Sequence, residues 1–492
     1  MSASTGRRSG DRAPGVPADA SAGGRDTRHA DPGAPPESVG APAGRPARRA
    51  IVLVHNPVAP YSRALRIARS LNADGWEVLI AGTARGDLPA EERDGPVRIV
   101  RIAPAGPLAF FVEPASGRRA ALVGRLDRTL RAAGDGVSRL PLLRRLPGVR
   151  LLRAARTPTA RRVLGVLRWP LPARAWSAGL RRSLPPADLY HACGVHALLA
   201  ATELAAGARR EGRAGRVVYD VIDLFLEGNR YARMPAALKA LYVRRERALV
   251  ARADAVVTVN DTLADELVGR FGLSRRPLVV LNCPPAVSPE PAPSDSPLRA
   301  ATGLPAGSRL VLFLGILGPD RGLLESGEAV LRVRDAAFVT LGFGPWFGRL
   351  RARDADPRFR GRHVTLPPVH PDEVTRWAAG ADAVLIAVPG DSLNQRLSTP
   401  NKFWEGLAAG VPLVVGRDLR VMREIVERHD LGAIADPADV DDLAEALRAV
   451  LDAPEGAAAT RRERALGLAR ERYNWAAQAE GLLQLAAELV PR

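Results

Sequence analysis

Cysteine and lysine are almost absent from this 492-residue chain. Two cysteines, Cys193 and Cys283, exclude a disulfide framework and a zinc cage built from cysteine. That usage suits a reducing compartment, so a cytoplasmic protein is expected. Of the 71 Lys and Arg residues only Lys239 and Lys402 are lysine, so arginine as a type carries little information. No run of 18 apolar residues is present to form a spanning helix, and residues 1–25 lack the apolar segment of a secretory signal. The patterns HExxH, GxSxG and GxxxxGK[ST] are missing. Their absence speaks against zinc hydrolase, serine hydrolase and P-loop chemistry.

What is present is a globular composition, 46% apolar and 25% charged. The length allows two or three domains with real cores. The net charge of +18 is local. Residues 118–182 hold seventeen Arg against Asp127 and Asp135, residues 1–50 hold eight Arg against five acids, and the remainder sums to zero. The only large apolar residues in 1–50 are Met1, Val16 and Val39, too few to offset the entropy of ordering, which predicts a disordered tail.

From residue 51 a βα rhythm begins. Ile51-Val52-Leu53-Val54 reads as a buried parallel strand, a helix follows Ser62, and Glu77-Val78-Leu79-Ile80 is the next strand. Residues 105–185 break the rhythm with apolar and Arg residues at helical spacing, interrupted by prolines, and read as a basic helical insertion. Alternation resumes through a strand at 278–281, and a Pro- and Ser-rich stretch, 284–306, reads as a linker. A second α/β series starts at 309, with one last long helix expected at about 454–489. The expected architecture is α/β: two Rossmann-like, doubly wound parallel-sheet domains facing a cleft. Its parts are a tail (1–50), an N-terminal domain (51–290), a C-terminal domain (305–455) and a C-terminal helix (456–492). Ligands then belong at the carboxyl ends of the strands.

Three turns of the C-terminal half sit at such ends. Pro400-Asn401-Lys402-Phe403-Trp404-Glu405-Gly406 opens a helix. Free N–H groups there attract an anion, Lys402 adds a charge, and Glu405 can accept from a ribose diol. Gly315-Ile316-Leu317-Gly318-Pro319-Asp320-Arg321-Gly322 follows a strand, with glycines for close backbone approach and Arg321 for bidentate phosphate binding. Gly342-Phe343-Gly344-Pro345 follows another. Each alone is as readily an ordinary turn or helix start; three on neighbouring strand ends shift the balance. In the first half, His191 ends a strand, His196 opens a helix, and Asp220 and Asp223 lie at another strand end. The alternatives are structural histidines and capping aspartates.

These residues resemble the retaining, nucleotide-sugar-dependent glycosyltransferases of family 4, which have the GT-B fold. The similarity runs over 51–490 apart from 105–185. It is carried by Ser62-Arg63-Ala64-Leu65-Arg66, Asp188-Leu189-Tyr190-His191, Val218-Tyr219-Asp220, Arg321-Gly322, Gly342-Phe343-Gly344-Pro345 and, most specifically, Pro400 to Gly410. The resemblance implies a nucleotide diphosphate sugar held by Gly315, Arg321, Gly342, Gly344, Pro400, Asn401, Lys402 and Glu405. It implies transfer with retention and without metal or cofactor, catalysis by Arg321, Lys402 and His191 or His196, and an acceptor side at Ser62, Arg63, Asp220 and Asp223. Departures are Ile316 where a basic residue is usual, Leu397 for an acid, and Cys193 for a second histidine. The expected acceptor is an envelope, lipid-linked or polysaccharide glycan. The alternative is a catalytically silent relative that binds nucleotide sugar or scaffolds a complex. For 118–182, contact with anionic lipid is favoured over a solvated face, and over nucleic acid, for which no stacking platform is visible. The expected location is the cytoplasm, peripheral to the inner membrane face.

Overall fold

The computed structural model describes residues 47–59, 61–106, 169–228, 231, 234–286 and 293–491. The expected tail (up to residue 46) and most of the basic insertion (107–168) lie outside the described residues. The fold is the expected pair of Rossmann-like α/β domains. In the first, β1 (Arg49–Val54), β2 (Glu77–Thr83), β4 (Val97–Ile102), β5 (Leu189–Cys193), β6 (Arg216–Val221), β7 (Ala255–Thr258) and β8 (Leu278–Val279) are joined by β3 (Glu91–Asp94). Their order is β3-β4-β2-β1-β5-β6-β7-β8, parallel throughout except for β3. In the second, β9 (Arg309–Ile316), β10 (Ala336–Phe343), β11 (His363–Leu366), β12 (Ala383–Ile386), β13 (Leu413–Gly416) and β14 (Gly432–Ala435) run parallel in the order β11-β10-β9-β12-β13-β14. The central strands are apolar on both faces because helices cover both sides, as parallel sheets require.

The structure departs from the sequence expectations at several places; the expected linker 284–306, for one, contains the helix Pro297–Thr302, whose Leu298 is buried in the C-terminal core, and four others follow. The chain is ordered before residue 51: β1 starts at Arg49, Ala50 is fully buried, and Arg48 lies over the Trp76 ring at 4.3 Å. Strand β3 was missed because Glu91-Glu92-Arg93-Asp94 has no apolar face; as an antiparallel edge it needs none. The end of the expected insertion is instead core. The helix Pro170–Ser183 buries Trp176 and Leu180, and a Cβ at its Gly179 would meet the Ala103 carbonyl at 2.3 Å.

The last departure is the C-terminal helix. Instead of one helix there are two, Glu455–Glu471 and Trp475–Leu489, broken where the Asn474 side chain accepts from the Ala477 amide. The second packs on the N-terminal domain. Trp475, Ala479, Leu482 and Ala486 share one apolar cluster with Val52, Ile67 and Leu71, and Trp475 Nε1 donates to Ser70 Oγ at 2.8 Å. The chain's last helix therefore ties the two domains together. Trp475→Ala is expected to destabilise the protein by about 3 kcal/mol, the usual scale for truncating a buried tryptophan; a shift of the denaturation midpoint measures it.

Candidate active site

The carboxyl ends of both sheets open on one cleft of about 630 Å³. From the C-terminal half it is lined by Gly315, Arg321, Gly342, Pro400, Asn401, Lys402 and Glu405. From the N-terminal half come Ser62, Arg63 and Asp223. The helix Asn401–Ala408 starts at this wall because Pro400, in extended conformation, ends the preceding loop, while Phe403, Trp404 and Leu407 pack into the core. That packing places Lys402 and Glu405 at the wall, 7% and 8% exposed.

Neither charge is paired in the ordinary way. Among the described residues no carboxylate lies within 4.0 Å of Lys402; its Nζ instead sits 3.4 Å from the centre of the Phe313 ring. Burial, and then repulsion from Arg321, pull its ammonium well below the usual lysine range against the pull of Glu405. Burial likewise pushes the Glu405 carboxyl up to about 7, opposed by Arg66 and Lys402. An anion with several oxygens entering here reverses the pressure on Lys402 and holds its proton in place.

The two halves meet through a short polar chain. Arg66 Nη1 donates to Asn282 Oδ1 at 3.1 Å, Asn282 Nδ2 to Asn401 Oδ1 at 2.5 Å, and Asn401 Nδ2 to Ser62 Oγ at 3.2 Å. Asn394 adds a second bridge, donating to Asp223 Oδ1 at 3.0 Å and accepting from the Leu224 amide. Arg66, Asn282 and Asn394 did not stand out in the sequence. Their role comes from domain contact, which no local pattern records.

The glycines divide. Gly315 has φ 100° with open space where a Cβ would stand, so it keeps the strand end low beside the cleft. A Cβ on Gly342 would meet the Gly315 carbonyl oxygen at 1.8 Å, and one on Gly344, which is not among the cleft-lining residues, would meet the Leu317 carbonyl oxygen at 2.4 Å. Those two are required by close packing of the β9 and β10 turns, a structural reason distinct from ligand contact.

The N-terminal candidates behave differently from expectation. His191 is 1% exposed and does not line the cleft; its Nε2 lies 3.0 Å from Asp220 Oδ2. Arg63 donates to both Asp220 oxygens, at 2.7 and 2.9 Å, and to the Val280 carbonyl. Burial raises the Asp220 carboxyl, but Arg63 and His191 overcome it and hold it at about 2. His191, Cys193 and Asp220 bring ligand atoms within 4.8 Å of one another, yet Arg63 engages both carboxylate oxygens, so a guanidinium organises the cluster. His196 is also absent from the cleft lining; it stacks on His55 at 4.7 Å, and burial followed by His55 pulls it down to about 3. The catalytic role expected of His191 or His196 and the acceptor contact expected of Asp220 do not match these positions. Desolvation and mutual pairing took those groups into the fold.

Residues 308–453 match the family model of the group 1 glycosyltransferases, described as "Glycosyl transferases group 1". Over 268 residues the chain is 30% identical to a D-inositol 3-phosphate glycosyltransferase of Xylanimonas cellulosilytica, covering 50% of this chain and 60% of that relative's length. It is 25% identical over 328 residues to the TuaC protein of Bacillus subtilis strain 168, named as a glycosyltransferase of teichuronic acid biosynthesis. That match covers 61% of this chain and 77% of the relative. Sucrose-phosphate synthase of Thermosynechococcus elongatus shares the fold with a TM-score of 0.60 at 15% identity, over 90% of this chain and 99% of that one. The GT-B architecture is thereby established, and the group 1 match spans the half that carries Arg321, Lys402 and Glu405.

The raised Glu405 carboxyl has a consequence for stability. Its folded value, about 7, exceeds the ordinary glutamate value of 4.5. The protonated folded state is therefore favoured at low pH, and this contribution is lost as pH rises from about 4.5 through about 7. Glu405→Gln is expected to abolish that loss: relative to the parent, the variant gains melting temperature between pH 5 and pH 8.

Proposed function

We propose that this protein is a retaining glycosyltransferase that moves a sugar from a nucleotide diphosphate sugar to an envelope, lipid-linked or polysaccharide acceptor. The observation that carries the reading is the convergence of Arg321, Lys402 and Glu405 on one cleft wall between two Rossmann-like sheets. The C-terminal sheet takes the donor. Arg321 and Lys402 meet the diphosphate, the group on which negative charge grows as the bond to the anomeric carbon breaks. This reading gives charge balance to those cations rather than to a metal. Glu405 accepts from ribose hydroxyls. The acceptor hydroxyl approaches from the N-terminal side, past Ser62 and Asp223, bonds to the anomeric carbon as its bond to the diphosphate breaks, and passes its proton to the departing diphosphate oxygen. The names of the two relatives support glycosyl transfer, and that of TuaC supports an envelope acceptor.

A second reading, a silent relative that binds nucleotide sugar without turnover, has one observation in its favour. Ile316, 50% exposed on the cleft, stands where the similar family usually carries a basic residue. Turnover of a nucleotide-sugar panel with cell-envelope extract separates the two. Among the described residues no helix is long and apolar enough to cross a membrane. The reading places residues 118–182, with their seventeen arginines, against anionic lipid at the inner membrane face.

Two measurements test this. Lys402→Ala and Glu405→Ala are each expected to weaken nucleotide-sugar binding about tenfold, the value of one charge-assisted hydrogen bond, read by calorimetry. Unchanged affinity in both removes the site. In flotation with anionic liposomes the full chain is expected to rise, and a chain lacking 118–168, which removes fourteen of those arginines and spares the core helix Pro170–Ser183, to stay behind; equal flotation ends the membrane assignment.

A further inference from the structure

The cleft holds more than its charges. Among the described residues, four large apolar side chains are well exposed: Phe225 at 38%, Leu241 at 37%, Ile316 at 50% and Phe343 at 37%. Three of them, Phe225, Ile316 and Phe343, line this one cleft. Scattered exposed apolar residues are ordinary, but three gathered in one concavity mark a binding surface. Ile316 and Phe343 are register partners at the ends of β9 and β10. Phe225 belongs to the other wall and is held by neighbouring rings. Its centroid lies 5.0 Å from Tyr231, 5.8 Å from Tyr242 in stacked orientation, and 5.6 Å from His196 edge-on. Tyr231 lines the cleft beside it. The result is a fixed aromatic face on one side and an aliphatic and aromatic face on the other.

The charges in the same cleft restrict what fits there. Among the described residues of the lining, Arg321 and Lys402 are the cations left for a ligand, since Arg63 is committed to Asp220. The donor diphosphate takes both. The remaining ionic groups of the lining are acidic: Asp223 and Asp320 are exposed carboxylates, and Glu405 lies by the helix start. The histidines behind Phe225 add no cation, because burial first of all pulls His55 to about 4 and His196 to about 3. Glu227, next along the chain, is already paired with Lys239 and Arg270. A second phosphate thus meets carboxylates, while an apolar group meets Phe225, Tyr231, Ile316 and Phe343.

We infer that this wall is an acceptor subsite that takes a glycoside with an alkyl or aryl aglycone in preference to a phosphorylated sugar. The inference rests on the glycosyl-transfer reading for the word acceptor, and its test is separable. With the full chain, calorimetry measures binding of octyl and p-nitrophenyl glycosides of glucose, galactose, mannose and N-acetylglucosamine, the same free sugars, and their phosphates. It is run without nucleotide and with UDP, GDP or ADP at saturation. At least one glycoside is expected to bind about tenfold more tightly than its free or phosphorylated sugar. Phe225→Ala and Tyr231→Ala are each expected to lose about tenfold of that affinity while nucleoside diphosphate affinity holds, and Phe225→Tyr to restore it. Tighter binding of the phosphorylated sugars, no preference for the aglycone, or glycoside affinity untouched by both alanine variants overturns the inference. Failure of every nucleoside diphosphate to bind overturns the donor reading instead, and glycoside binding without nucleotide judges the subsite on its own.

Discussion

The site depends on one constraint: two ionisable side chains, Lys402 and Glu405, are held at a nearly dry wall with no opposite charge in direct contact among the described residues. Burying such groups is unfavourable, and the fold tolerates it because the helix that carries them is fixed by its opposite face. Phe403, Trp404 and Leu407 lock that helix into the C-terminal core, and the Phe313 ring supplies the surface on which the Lys402 ammonium rests. A helix this firmly seated cannot swing its charges into water. Their natural complement is a ligand with anionic oxygens and hydroxyl donors.

The second constraint is the joint between the halves. Polar contacts run from Arg66 through Asn282 and Asn401 to Ser62, so the first residue of the cleft-wall helix is hydrogen-bonded to the start of the first helix of the N-terminal domain. The terminal helix Trp475–Leu489 fastens the same region from behind. The two walls of the cleft are therefore positioned against each other by hydrogen bonds and apolar packing at once. The N-terminal half pairs its own charged groups internally: Arg63, on the lining, and His191, behind it, both bond to Asp220, and aromatic rings face the opening.

How much of this was legible in the sequence follows from the range of each interaction. Strands such as Ile51–Val54 and Ala383–Ile386 are continuous apolar runs, and parallel sheets demand that pattern, so the two-domain α/β architecture could be read directly. The helix-borne wall of the cleft was legible from short spacing: Asn401, Lys402 and Glu405 lie within about one helical turn of each other, and helix geometry alone puts them together. Strand β3 was not legible, because an edge strand with charged residues has no periodic apolar face. Nor was the break at Arg472–Asn474, since both flanking segments are good helix and only the Asn474 cap divides them.

Sequence by itself determined the fold class, the main βα alternation and which residues of the helix Asn401–Ala408 share the cleft wall, all of which rest on local periodicity and short spacing. Tertiary structure alone decided which polar residues face the cleft and which are absorbed. His191 and Asp220 are 29 positions apart, and Arg63 lies 157 from Asp220, so their pairing is a product of strand order in the sheet. The same packing decided that Phe225 and Ile316, ninety-one positions apart in the chain, line one cavity. Burial and pairing depend on which strands become neighbours, and a linear pattern does not encode that.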